Sequence, residues 1–325
     1  MMNPQYKQWF HTFIFAYIYL MMALCIPSNF AVTAPYKTRS SATLITIDGV
    51  IPNTNLHIVS VISMKGITPF QRMIYELSDE LDVRELTVID QQISSLEELT
   101  RGQVQKQSAY ELSIIHGYQL AAVTNPSIEV DYEFVGMVVD YRYKKFSQFQ
   151  IGDVITKING QSYTNYEDMR QTFATDYEVD LTIKRQNTEI EVELKRLPTD
   201  IYFSFYPKYN ILSATPSYET PGLELVSGGP SSGMIQTLAI YLSLVNDMIV
   251  DDIVVGTGTI TNLGTVGEIG GLKQKVYTAI HEGIKYFICP ASQYDEVAHL
   301  DGQGIEIYGV STIEEAVEVL HEIFV

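Results

Sequence analysis

The sequence is poor in cysteine and in positive charge. Only Cys25 and Cys289 occur in 325 residues, so neither a disulfide framework nor a cysteine-based metal cluster can be built. Lys and Arg total 21 against 39 Asp and Glu, a formal net charge of −18. Such a field repels a phosphate backbone and no basic patch overturns it, which argues against nucleic-acid partners. There is no internal repeat. The glycine-rich "GEIGGLKQK" is not a phosphate loop, because Gly271-Leu272-Lys273-Gln274 breaks the Gly-Lys-Ser/Thr order. No nucleotide and no other cofactor is expected.

Apolar length is present at the N-terminus. From Trp9 to Ile26 the chain is almost wholly apolar, with Lys7 before it and loop chemistry after it. That length just spans a hydrocarbon core as a helix. The reading is an uncleaved signal anchor rather than a cleaved signal peptide. Val32-Thr33-Ala34 offers small residues for cleavage, but Pro35 follows at once. Leu24 before Cys25 also excludes a lipoprotein site. Charge sets the orientation weakly, since Lys7 on one side faces Lys37 and Arg39 on the other.

The expected organisation is a multidomain chain of α/β and α+β parts. Residues 1–42 form the anchor and a polar linker, and 43–124 an α+β segment. There "NLHIVSVISM" alternates like a half-buried strand, and "SSLEELTRGQVQKQSAYELSIIHGYQLAAV" reads as one or two helices behind a Ser-x-x-Glu capping box. Residues 125–199 change to short strands. From 200 to 325 strands and helices alternate: "LELVSGG", a helix over 231–246, "DDIVVGTGTI", a helix from 272, "IKYFICP", "IEIYGV" and a last helix capped by Ser311.

In "VSGGPSSGM" three serines compete for a chemical role. Ser227 fits a trypsin-like Ser-Gly-Gly-Pro, but Leu225-Val226 replaces the Gly-Asp such a motif needs. None of His11, His57, His116, His281, His299 and His321 sits in a suitable base context. With Pro230 opening a helix, Ser231 heads the apolar stripe Ile235, Leu238, Leu242, Val245. Ser232 heads Gln236, Ala239, Ser243, Asn246, a stripe expected in solvent. A serine where a helix N-terminus meets the core has amide N–H groups nearby to hold an oxyanion. Ser231 is therefore the better nucleophile. A base comes from "GGLKQKV": a lysine neutralised by burial serves, and of Lys273 and Lys275, two apart on a helix, only one can face Ser231.

Two resemblances follow. Residues 150–160, "QIGDVITKING", resemble the signature of a PDZ domain. This implies a peptide-binding groove beside a helix at 166–173, and a carboxylate loop at Phe134-Val135-Gly136-Met137 that pairs with extended peptides by strand addition. "GGPSSG", "GTGTITNLGTVGEIGGLKQKV" and "GIKYFICP" resemble, in order and spacing, the proteolytic domain of Lon-type (S16) serine peptidases. The order of parts is similar to extracytoplasmic SepM/YlbL-like peptidases. The resemblance implies Ser231 as nucleophile, Lys273 as general base and Thr257 orienting the lysine, with the backbone N–H groups of Gly229 and Ser231 around the oxyanion. It further implies an ATP-independent endopeptidase with its catalytic domain outside a cell membrane, a peptide or protein substrate, and a homo-oligomer. Gly228 stands where ATP-dependent Lon has an acid, and Ser232 where Ala is usual. The alternative from another class is a non-catalytic PDZ scaffold at the cell surface.

Overall fold

The computed structural model describes residues 4–197, 203–220, 229–245 and 251–324, with side chains from residue 9. Helix α1 (Pro4–Cys25) covers the apolar run, and Trp9, Phe13, Phe15, Tyr17 and Tyr19 on it are exposed. Among the described residues, no helix is long and apolar enough to cross a membrane. The side chain of Lys7 lies outside the described residues. Then follow β1 (Phe30–Ser40), β2 (Thr46–Ile47), β3 (Leu56–Lys65), α2 (Pro69–Tyr75), β4 (Asp82–Glu85), α3 (Val88–Gln92) and the long α4 (Ser95–Thr124). The expected capping box opens α4: Ser94 Oγ accepts from the Glu97 amide, and the Glu97 carboxylate accepts from the Ser94 amide.

Next come β5 (Glu129–Arg142), β6 (Val154–Ile158), α5 (Tyr166–Thr175), β7 (Glu178–Arg185), β8 (Thr188–Lys195) and β9 (Phe203–Thr215). They build a five-stranded antiparallel sheet in the order β8-β7-β6-β5-β9. Its core is Met137, Val139, Phe149, Ile155, Met169, Phe173, Leu181 and Ile183. Turns at Gly152 and Asn159-Gly160 flank β6, and all three residues have positive φ.

The chain continues through β10 (Tyr218–Glu219), α6 (Gly233–Val245), β11 (Val254–Gly256), β12 (Thr259–Ile260), β13 (Val266–Gly267), α7 (Leu272–His281), β14 (Tyr286–Pro290), α8 (Tyr294–Val297), β15 (Glu306–Val310) and α9 (Ile313–Phe324). The main sheet has the order β15-β14-β11-β3-β1-β4. β3 runs parallel to β11, while β1 and β4 are antiparallel additions. Strand side chains alternate between two helical layers. Ile58, Val254 and Ile288 pack with α4, α6 and α9. Their neighbours Val59, Val255 and Phe287 pack with α7 and α8.

This topology corrects the expected domain boundaries. The polar linker at 28–42 is β1, paired along the length of β3, with its consecutive residues Ala31, Val32 and Thr33 buried. The 43–124 segment is not a separate unit either. It supplies β3 to the C-terminal sheet and α4 to one of its faces. Residues 203–215 belong to the five-stranded sheet, where β9 pairs with β5 from Glu129 to Arg142. The five-stranded sheet is thus inserted into a discontinuous α/β domain, and the boundary expected at 199/200 lies outside the described residues. So do Ser227, Gly228 and all but Gly229 of the strand expected over "LELVSGG". At the last helix the cap is Thr312, whose Oγ1 accepts from the Glu315 amide, rather than Ser311.

Candidate active site

Four elements converge on Ser231. The residue sits in the turn before α6, closed by a hydrogen bond from the Gly233 amide to the Pro230 carbonyl at 3.1 Å. The chain at 257–258 crosses it directly. The Gly258 amide donates to the Ser231 carbonyl at 2.8 Å, and the Met234 amide to the Gly258 carbonyl at 3.1 Å. Thr257, 1 % exposed, is tied to β14 by its amide, which donates to the Ile288 carbonyl at 2.9 Å. Its hydroxyl donates to the Ser231 carbonyl at 3.1 Å.

The lysine that reaches this point is Lys275. Its Nζ donates to Ser231 Oγ at 2.8 Å and to Thr257 Oγ1 at 2.8 Å. It is 3 % exposed, and burial alone pushes its pKa from 10.5 down to about 7. Lys273, the expected base, is half-buried and lies over the Tyr277 ring, 6.0 Å from the centroid. Helix phase explains the correction. Leu272, Val276 and Ala279 form the buried stripe of α7. Lys275 is three residues from Leu272 and four from Ala279, so it falls on that stripe. Lys273 shares its face with Tyr277 and Ile280, which are only partly buried. The stripe was visible in "LKQKVYTAI" and would have selected Lys275 had it been read. Gly271, at φ 69°, starts α7 in the left-handed conformation that glycine allows.

The backbone donors differ from expectation as well. The Gly229 amide donates to the Gly102 carbonyl of α4 at 3.2 Å, so it is engaged away from any substrate in this conformation. The Ser231 amide has no partner among the described residues. The α6 helix begins at Gly233, two residues later than expected, and every residue from Gly233 to Leu242 on it is buried. The stripe assigned to solvent is buried where it lies on α6: Gln236 and Ala239 are each 4 % exposed. Ser232 Oγ accepts from Gln236 Nε2 at 2.7 Å. Among the described residues, His57 contacts Thr38, His116 the Thr261 carbonyl and His281 Glu80, and no histidine is bonded to Ser231.

Val135, Gly136 and Met137 do not form a loop. They lie within β5, between β9 (Gly136 opposite Lys208, Met137 opposite Pro207) and β6 (Met137 opposite Ile155). A Cβ on Gly136 would stand 2.1 Å from the Ile155 carbonyl oxygen, so this glycine serves close strand approach. A pocket of about 240 Å³ opens at the dyad, lined by Val59, Ser60, Val61, Pro230, Ser232 and Gly270 as well as Ser231 and Lys275. One wall is β3, whose pairing with β11 stops at Ile58. Among the described residues no cluster of metal-ligating side chains occurs.

Residues 193–325 match the Lon protease (S16) C-terminal proteolytic domain, and that domain is present in this chain. Lon protease of Buchnera aphidicola subsp. Schizaphis graminum is similar, with 31 % identity over 144 residues, 43 % of this chain and 18 % of that protein. Lon protease of Koribacter versatilis shares 32 % over 119 residues, 35 % of this chain and 14 % of its own length. Lon protease 1 of Sorangium cellulosum shares 36 % over 91 residues, 27 % and 11 % respectively. The chain thus spans less than a fifth of these curated relatives. The domain and its relatives support a serine peptidase.

Proposed function

We propose that this protein is a serine endopeptidase in which Ser231 and Lys275 form the catalytic dyad. The carrying observation is the 2.8 Å contact between Lys275 Nζ and Ser231 Oγ, made by an amine that burial brings to a pKa of about 7. A neutral Lys275 takes the Ser231 proton as Oγ attacks a peptide carbonyl, and the resulting ammonium gives that proton to the leaving amine. An acyl-enzyme remains on Ser231, and water, deprotonated by the same lysine, releases the second product. Thr257 holds the amine in line.

In the test, the purified parent and its Ser231→Ala and Lys275→Ala variants are given an unstructured protein such as casein. The parent cleaves it and both variants do not. Equal cleavage by all three overturns the reading.

We read the activity as ATP-independent, as the resemblance to SepM/YlbL-like peptidases implies. Its substrates are then flexible segments or peptides, which reach the pocket beside Ser231 without prior unfolding. Anchoring to a membrane, with action on its outer side, is supported by the exposed aromatic and aliphatic side chains of α1 and by the resemblance to SepM/YlbL-like peptidases. Recruitment of extended peptides belongs to the inserted sheet. Its outer strand β9 lies against α5, where Phe173 packs on Phe205 with ring centroids 4.8 Å apart.

A further inference from the structure

The oxyanion of acyl transfer needs donors aimed at one point. The Ser231 amide is free among the described residues, but the Gly229 amide is spent on Gly102. Next to the nucleophile stands Ser232, whose side chain heads the same pocket. Its Oγ accepts from Gln236 Nε2 at 2.7 Å, which occupies a lone pair and leaves the O–H to donate elsewhere. Gln236 is 4 % exposed, and its Oε1 has no hydrogen-bond partner. Burying an amide with one end unsatisfied is destabilising, and among the described residues the side-chain bond this amide makes is the one that orients Ser232. A leucine would fill the space without that cost.

We propose that the Ser232 hydroxyl is an oxyanion donor of this peptidase, oriented by Gln236. The inference rests on the reading of Ser231 and Lys275 as nucleophile and base. As Ser231 Oγ bonds to the carbonyl carbon, the carbonyl π pair moves onto oxygen. That O⁻ accepts from the Ser231 N–H and the Ser232 O–H. On collapse the pair returns, the C–N bond breaks and the amine leaves with the proton from Lys275, so Ser232 keeps its own proton throughout. Ser232 is then a catalytic residue, and Gln236 a positioning residue acting through it.

The experiment compares Ser232→Ala, Ser232→Thr and Gln236→Glu with the parent on a fluorogenic peptide. It also measures inhibition by a peptide boronate, whose tetrahedral adduct places an oxygen where the oxyanion forms. Ser232→Ala is expected to lower kcat about 100-fold, with KM unchanged and Tm lowered by the loss of the Gln236 partner, and to weaken the boronate by a similar factor. Ser232→Thr, which keeps the hydroxyl, retains most activity. Gln236→Glu, whose carboxyl oxygens accept the Ser232 proton, reproduces the loss with the serine still in place. A Ser232→Ala enzyme that matches the parent in kcat and boronate affinity, while Ser231→Ala and Lys275→Ala are inert, overturns the role of Ser232 alone. Activity persisting in Ser231→Ala and Lys275→Ala instead overturns the dyad.

Discussion

Thr257 Oγ1 accepts a hydrogen bond from Lys275 at 2.8 Å and donates one to the carbonyl of Ser231 at 3.1 Å. One hydroxyl therefore fixes the base and the backbone of the nucleophile together. Replacing it by Thr257→Val keeps the shape and deletes both bonds. We expect kcat to fall roughly 10- to 100-fold with little change in KM, measured by steady-state hydrolysis of a fluorogenic peptide.

The two lysines of α7 separate cleanly. Lys275→Ala removes the base and is expected to lower kcat by about a thousandfold or more. Lys273→Ala disturbs only a partly exposed contact over Tyr277 and is expected to stay within about twofold of the parent, since such contacts contribute little to the active geometry. Activity lost in Lys273→Ala and kept in Lys275→Ala would reverse the assignment.

The pH dependence follows from burial of Lys275. Its amine must be neutral to act, so kcat/KM should rise with pH along a limb centred near the pKa of about 7. Stability carries the same signature. Below pH 7 the folded protein bears the full burial penalty of a charged amine. Between about 7 and the unfolded value of 10.5, the unfolded chain binds a proton that the folded chain does not, so stability rises with pH across that window. Lys275→Met should therefore be more stable than the parent at pH 6.5, by on the order of a few kcal/mol, with the gap shrinking toward pH 10. Urea unfolding at the two pH values checks it, and a gap that widens with pH refutes it.

Gly136→Ala tests the reassignment of residues 135–137. The added Cβ would meet the Ile155 carbonyl oxygen at 2.1 Å and must push β5 from β6. A loss of about 2–4 kcal/mol is expected, read as a lower urea midpoint. A merely peptide-binding loop would tolerate alanine with no change in stability.

Much of this was legible in the residue order. "LHIVSVISM" became β3, the Ser94–Glu97 box opened α4, and Ser231 was selected by the apolar stripe it precedes, which runs along α6. The lysine was misassigned because the resemblance was followed past the stripe Leu272, Val276, Ala279. Gln236 was placed in solvent because helix periodicity cannot show that further faces of α6 are covered, as the burial of every residue from Gly233 to Leu242 shows they are. The insertion was invisible for a related reason. β1 carries no local mark of pairing with β3, nor β3 of pairing with β11, and only the assembled sheet reveals which strands are partners. Gly136 resembled part of a carboxylate loop, whereas the close approach of β6 is a tertiary fact.

The discontinuity of the α/β domain has a consequence for biosynthesis. β3 walls the pocket, yet its parallel partner β11 lies about 200 residues further along the chain, and such non-local pairing closes late. Ser231, Thr257 and Lys275 all follow the inserted sheet, which completes its own hydrogen bonding with β9. A ribosome-bound chain can thus finish the insertion while the wall, nucleophile and base remain unassembled. Hydrolytic power appears only when synthesis has passed α7.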